Sequence, residues 1–241
     1  MRLYLIRHAQ STNNALPTPE AERSYDPNLT EIGFKQAQHL ADYVATQSDP
    51  NPSMWRAIPE DANAIGFGIT KLYCSAMWRS LLTAKVVGEA IGITPEIWIE
   101  IHEHGGIYLE ENGGFVGYPG KTRQEILQDF PNFVLPNTVT DNGWWTEGYE
   151  DQAACHVRAG LVAQELRMMS QDSYRDECVA LVTHGNFLDC LLKALMMLPT
   201  DAGMYFSHFN TSITRVEFTL DDDIIVRYQN RVNHLPEELI T

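Results

Sequence analysis

Read for hydrophobic and polar positions, the chain alternates between short apolar runs and longer stretches with helical spacing. The run that follows Arg2 stops abruptly at Arg7-His8, and small polar residues then carry the chain away, which predicts a strand ending in a turn. Residues 178–183 repeat the pattern. They end at His184-Gly185-Asn186 and open into a helix whose stripe is Leu188, Leu191, Leu192 and Leu195. Residues 70–74 form a third such strand, followed by Ser75, a candidate N-cap, and by Arg79 in the first turn of the next helix. Thr30 is expected to cap a helix with Phe34, Ala37, Leu40, Ala41 and Val44 on its core face. A longer helix over 150–169 places Val157, Leu161, Val162, Leu166 and Met169 on one side, and its charged residues, Arg158 among them, call for no explanation. A strand is expected over 96–101, a short helix from about 121 to 129, and a closing strand pair over 212–220 and 224–230, with Asp221-Asp222-Asp223 as the turn between them.

Strands alternating with helices predict an α/β fold, read as one domain over 1–241 with an insertion at about 105–148. In an open α/β sheet, parallel strands present their carboxyl ends along one edge, where ligands bind. If the three strands are parallel neighbours, Arg7, His8, Arg79 and His184 converge there. Two proline-bearing loops, 13–28 and 47–68, interrupt the regular pattern, and Trp55 and Phe67 are expected to anchor the second against the body. The insertion carries two Gly-Gly pairs and seven aromatic side chains, with only Lys121 and Arg123 as cations, and lies where a lid would set substrate choice.

Composition narrows the classes of function. At 241 residues and 44% hydrophobic content the chain can bury a sizeable core, while a formal net charge of -15 repels nucleic acid and acidic membranes. Cys74, Cys155, Cys178 and Cys190 are scattered, with no C-x-x-C pair, and suit small buried side chains better than a disulfide framework or metal site. The start of the chain has no secretory pattern, and no apolar stretch approaches the length of a membrane span. A cytoplasmic location is therefore the expectation. Nothing in the sequence fixes oligomeric state.

Taken alone, Arg7-His8 reads as a strand-end surface charge beside an ordinary loop histidine, but the convergence of the three strand ends suits phosphoryl transfer to histidine. Arg7 can bind an oxyanion through paired N–H donors at any working pH, and the neutral imidazole of His8 can attack phosphorus. Asn14 is near enough in sequence to donate to a phosphoryl oxygen, and it also suits a turn that bonds its own backbone. Glu103, in His102-Glu103-His104, is a candidate proton donor for the leaving group, with Glu100 as competitor. The two histidines there are too close for an H-E-x-x-H zinc site.

The chain resembles the histidine phosphatase superfamily, the phosphoglycerate mutase-like fold. The resemblance rests on Arg7-His8, on the run from Asp26 to Ala37, on Ser75 through Arg79 with Thr83-Ala84, on His184-Gly185, and on Asn233-His234-Leu235. It implies a three-layer sandwich with a mostly parallel central sheet flanked by helices. It further implies that His8 is the phosphorylated nucleophile, that Arg7, Arg79 and His184 hold the phosphoryl oxygens, and that Glu103 is the acid. Asn14 matches the family pattern too. Ala9-Gln10 stand where the family usually has Gly-Glu, which leaves the local turn open.

The expectation is a phosphomonoesterase that works through phosphohistidine on a small phosphorylated substrate, with protonated His184 among the charges on the phosphoryl group and no metal or cofactor. A mutase, a metal-dependent hydrolase and a catalytically silent phospho-ligand binding module remain as alternatives. The insertion is poor in the lysine and arginine that a mutase uses to retain a bisphosphate.

Overall fold

The structure, a computed structural model, describes residues 1–18, 21–49, 65–172 and 174–241. Trp55 and most of the 47–68 excursion lie outside the described residues. A six-stranded sheet is built from β1 (Arg2–Arg7), β2 (Lys71–Cys74), β3 (Glu96–Ile97), β6 (Cys178–Thr183), β7 (Ile213–Phe218) and β8 (Ile224–Arg231), in the order β3-β2-β6-β1-β7-β8. The pairings β3-β2, β2-β6 and β6-β1 are parallel, and β7 runs antiparallel to β1 and β8. Two further strands, β4 (Tyr108–Glu111) and β5 (Gly114–Gly117), form a separate hairpin.

Alternation along the strands separates two apolar layers. Tyr4 and Ile6 of β1 face α1 (Glu31–Thr46) and α2 (Trp78–Ile91), whereas Leu3 and Leu5 face α4 (Gln152–Gln171) and α5 (Gly185–Leu195). The result is the three-layer sandwich. The short α3 (Arg123–Asp129) starts with a capping box between Thr122 and Glu125 and ends before Pro131. The stretch expected as a lid divides in two. The β4–β5 hairpin stands out from the body, while Ile126, Phe130, Phe133, Trp144 and Trp145 pack into the α1–α2 layer as core. The hairpin was not foreseen, although Asn112-Gly113, both at positive φ (52° and 77°), is the turn pair that signals one.

Several expectations need correction. The segment 96–101 stays in the sheet for two residues only. Ile99–Ile101 then coils into a 3₁₀ turn, and Thr183 Oγ1 donates to the Ile101 carbonyl at 2.6 Å, which turns 102–103 toward the sheet edge. On α4 the buried face is Cys155, Ala159, Val162, Ala163 and Leu166, while Val157 and Leu161 are 66% and 63% exposed. Cys155, Ala159 and Ala163 let α4 lie close against α5, with the expected Val162 and Leu166 buried beside them. Phe34 of α1 is likewise exposed, because the helix turns Gly33 inward, where a Cβ would stand 2.1 Å from the Gln10 carbonyl oxygen.

Thr30 does cap α1, accepting from the Gly33 N–H. Phe67 is buried against Tyr4 and Tyr43. The aspartate run 221–223 joins β7 to β8 as a turn, with Asp222 at φ 65°. All four cysteines are buried free thiols, two in strands and two in helices. Among the described residues no helix is long and apolar enough to cross a membrane.

Candidate active site

Sheet register brings the chemistry together. Arg7 is paired with Thr183 and Cys74 with Val182, so the residues that follow these strands, His8, His184 and Ser75, emerge side by side at one edge. The His8 N–H donates to the Thr183 carbonyl at 2.8 Å and the Ser75 N–H to the Val182 carbonyl at 3.1 Å, which extends the ladder by one residue before each turn.

His8 is 2% exposed. Its Nδ1 lies 2.7 Å from the Ala9 carbonyl oxygen, which can only accept, so Nδ1 carries the proton and Nε2 the lone pair. Arg79 Nε donates to that Nε2 at 3.1 Å. Burial, then the Arg79 and Arg7 charges, hold His8 well below the ordinary imidazole pKa, so the ring is neutral at physiological pH. Arg7 donates from Nη1 to the His208 carbonyl at 2.5 Å.

The His184 ring stands 5.0 Å from that of His8, centroid to centroid. Burial first, and then Arg79, hold it well below the ordinary value as well. Ser75 explains its tautomer. Its Oγ accepts the Met77 N–H at 3.2 Å and lies 2.8 Å from His184 Nε2. The hydroxyl keeps a second lone pair, but donating to Nε2 is the arrangement that gives its own O–H an acceptor, and it leaves the ring N–H at Nδ1, a buried atom without a partner. Ser75 is therefore not the N-cap of α2, a position that falls to Met77. The strand-end logic that singled out His8 and His184 applied equally to Ser75.

Arg79 lies in the first turn of α2 and is 9% exposed. Glu103 lines the cavity and supplies the cap that His184 does not give α5. Its Oε1 accepts from His104 N and Phe187 N, each at 2.9 Å, and its Oε2 from Asn186 N at 3.3 Å. Glu100 sits away from this cavity.

The segment carrying Glu103 is held by Arg158, whose forked pair to Glu150 (2.7 and 2.6 Å) leaves Nη1 to donate to the Glu100 and His102 carbonyls. Arg158 thus has a structural task that the helical pattern alone did not reveal. Asn14 takes the turn role, its Oδ1 fixed by the Ser11 N–H and hydroxyl, and the residue also lines the cavity. Gln10 turns inward instead, accepting from the Thr30 hydroxyl while its N–H donates to Gln36, so the departure from Gly-Glu leaves a satisfied local turn.

Arg7, His8, Asn14, Arg79 and Glu103 form the floor of a cavity of about 530 Å³, whereas His184 is fully buried beside His8 and is not part of its lining. Its walls come from the 13–28 loop (Arg23, Ser24, Tyr25), the hairpin (Tyr108, Phe115) and Asn186, Tyr205 and His208. Tyr25 stacks on Tyr118 at 4.8 Å, joining the loop to the end of the hairpin. A buried floor of two arginines around a neutral imidazole lone pair can bind an oxyanion and present a nucleophile to it.

Comparison with known proteins identifies the fold. The profile of the histidine phosphatase superfamily (branch 1) matches residues 3–51 and 60–231. A probable phosphoglycerate mutase GpmB of Yersinia pestis is 24% identical over 226 residues, covering 90% of this chain and 85% of its own. Among solved structures, a mycobacterial glucosyl-3-phosphoglycerate phosphatase complexed with VO3 aligns with a TM-score of 0.60 at 20% identity, over 96% of this chain and 99% of its own. A phosphoserine phosphatase from Entamoeba histolytica, in complex with 3-phosphoglyceric acid, aligns with a TM-score of 0.61 at 16% identity, over 98% and 99%.

Proposed function

Because the chain belongs to the histidine phosphatase superfamily, we propose that it is a phosphomonoesterase acting through phosphohistidine on a small phosphorylated substrate, with no metal required. One observation carries this reading. His8 is a neutral, buried imidazole whose Nε2 lone pair meets the Arg79 guanidinium, with Arg7 beside it.

In the first step Arg79 exchanges the imidazole for a phosphoryl oxygen, which frees Nε2 for in-line attack. A bond forms from Nε2 to phosphorus as the ester P–O bond breaks. Arg7, Arg79, Asn14 and the Nδ1–H of His184 stabilise the equatorial oxygens. His184 does this as a neutral donor set by Ser75. The leaving alkoxide takes a proton from Glu103, and Oε2, with the longer 3.3 Å contact, is the oxygen freer to deliver it. Water then attacks phosphohistidine, giving its proton to Glu103 and releasing inorganic phosphate. The arginines supply the positive charge that a metal provides in other phosphatases.

The mycobacterial and Entamoeba proteins named above are phosphatases of three-carbon phosphoacids or their derivatives by their names, and substrates of that size suit a cavity of about 530 Å³. Phosphate release from a panel of phosphomonoesters, for wild type and His8→Ala with and without EDTA, tests the reading. Release that survives EDTA and disappears in His8→Ala is expected. Loss with EDTA would point to a metal, and transfer of the phosphoryl group to a second hydroxyl without phosphate release would make the protein a mutase.

A further inference from the structure

Asp26 occupies an unusual place for a loop carboxylate. It precedes α1 on the 13–28 loop, yet its side chain is 2% exposed. Oδ1 accepts the N–H of Trp78, the first residue of α2, at 3.0 Å, and so caps a helix whose own N-cap residue, Met77, offers no side-chain bond. The same oxygen lies 3.9 Å from Arg79 Nη1, and Oδ2 is buried without a partner. Arg79 thus links the two, its Nη1 facing the Asp26 carboxylate and its Nε the His8 imidazole.

An arginine that must exchange His8 for a phosphoryl oxygen has to keep one side fixed while the other changes partner. Building on the phosphohistidine reading, we propose that Asp26 is a positioning residue for the transfer, its ionised carboxylate holding the Arg79 guanidinium at Nη1 while Nε passes from His8 to the phosphoryl group. The loose 3.9 Å contact fits that task better than a closed fork, which would occupy the donors the phosphoryl group needs. The charged groups facing Asp26 are Arg79 on α2 and Lys121 of the insertion, whose ammonium lies 5.4 Å from the Trp78 ring. Both charges and the Trp78 N–H oppose burial, and burial prevails, raising the carboxyl to about 6. The hold on Arg79 is therefore complete above that pH and fades below it. His8 and His184 are shifted the other way, downward from the ordinary imidazole value.

Asp26→Asn keeps an acceptor for Trp78 N and removes the charge. The experiment is a cycle of four proteins, wild type, Asp26→Asn, Arg79→Ala and the double variant, each assayed for saturating turnover of the best ester across pH and, separately, for affinity toward inorganic phosphate by calorimetry. Asp26→Asn should lower kcat about 10-fold at neutral pH with KM changed less than about 3-fold, and should flatten the fall in wild-type kcat below pH about 6. With Arg79 already removed, the same substitution should cost less than about 2-fold.

Equal losses in both backgrounds, or an acid limb that persists in Asp26→Asn, would overturn the proposal and leave Asp26 a helix cap. If no ester is turned over by any of the four, wild type included, the phosphatase reading falls on its own and the phosphate affinities decide about Asp26. A change caused by Asp26→Asn that vanishes without Arg79 supports the hold. A change equal in both backgrounds, or none in either, refutes it.

Discussion

Lowering the pH from 7 to 5 should bring the chain close to unfolding through histidines it buries in the neutral form. Burial holds His102, His208 and His234 at about 4, against an ordinary value of 6.5. In the unfolded chain each takes up a proton as pH falls through 6.5, while the folded chain refuses it until about 4. The stability each supplies is complete above 6.5 and lost progressively below it. By proton linkage each of the three costs about 2 kcal/mol at pH 5, about 6 kcal/mol together. His8 and His184, shifted in the same direction, add to the loss. Asp26 works the other way, because its raised carboxyl protonates earlier in the folded state, and it returns about 1 kcal/mol. The net loss approaches the whole stability of an ordinary domain, about 5–15 kcal/mol. Urea unfolding followed by tryptophan fluorescence at a series of pH values measures it directly. His234, bonded to Thr211 Oγ1 and stacked on Tyr43 away from the cavity, gives the control. His234→Gln should remove about 2 kcal/mol of the drop between pH 7 and 5. A stability that stays level over this range, or a slope unchanged in His234→Gln, would refute the reasoning.

Other perturbations have equally direct consequences. Ser75→Ala leaves His184 Nε2 without its donor and its tautomer unset, and should lower kcat about 10-fold while costing about 1–3 kcal/mol in stability, read by steady-state kinetics and thermal melting. Gly33→Ala forces a methyl to within 2.1 Å of the Gln10 carbonyl oxygen and should destabilise the chain by about 1–3 kcal/mol or more, with lower turnover because Gln10 follows the nucleophile by two residues. Arg158→Ala strands the buried Glu150 carboxylate and frees the Glu100 and His102 carbonyls. A loss of about 3–5 kcal/mol in denaturant titration, accompanied by reduced kcat from displacement of Glu103, is expected.

Most of the site could be read from the chain because it sits where strands stop. An apolar run that ends in Arg7-His8 or Thr183-His184 advertises both the strand and the position of its last residue, and parallel pairing aligns those ends without further information. The same logic fails where a residue's task depends on a distant partner. Arg158 looks like a solvated helix charge until Glu150 and the 100–102 carbonyls arrive, and Asp26 looks like a turn residue until α2 packs over it. Arg215 is the extreme case, fully buried in β7 and paired with Asp49 at 2.8 Å and with Glu217. On α4 the amphipathic reading placed Val162 and Leu166 correctly, but close helix packing turned Cys155, Ala159 and Ala163 inward and left Val157 and Leu161 to solvent.

The measurement closest to the central claim is a rapid quench of the protein with a turned-over phosphomonoester under conditions that preserve phosphohistidine, followed by mass mapping of the modified peptide. The account predicts one phosphoryl group, on His8, formed and lost at rates compatible with turnover and absent in His8→Ala. Turnover that continues in His8→Ala, with no phosphoryl group on His8 in the wild type, would contradict it.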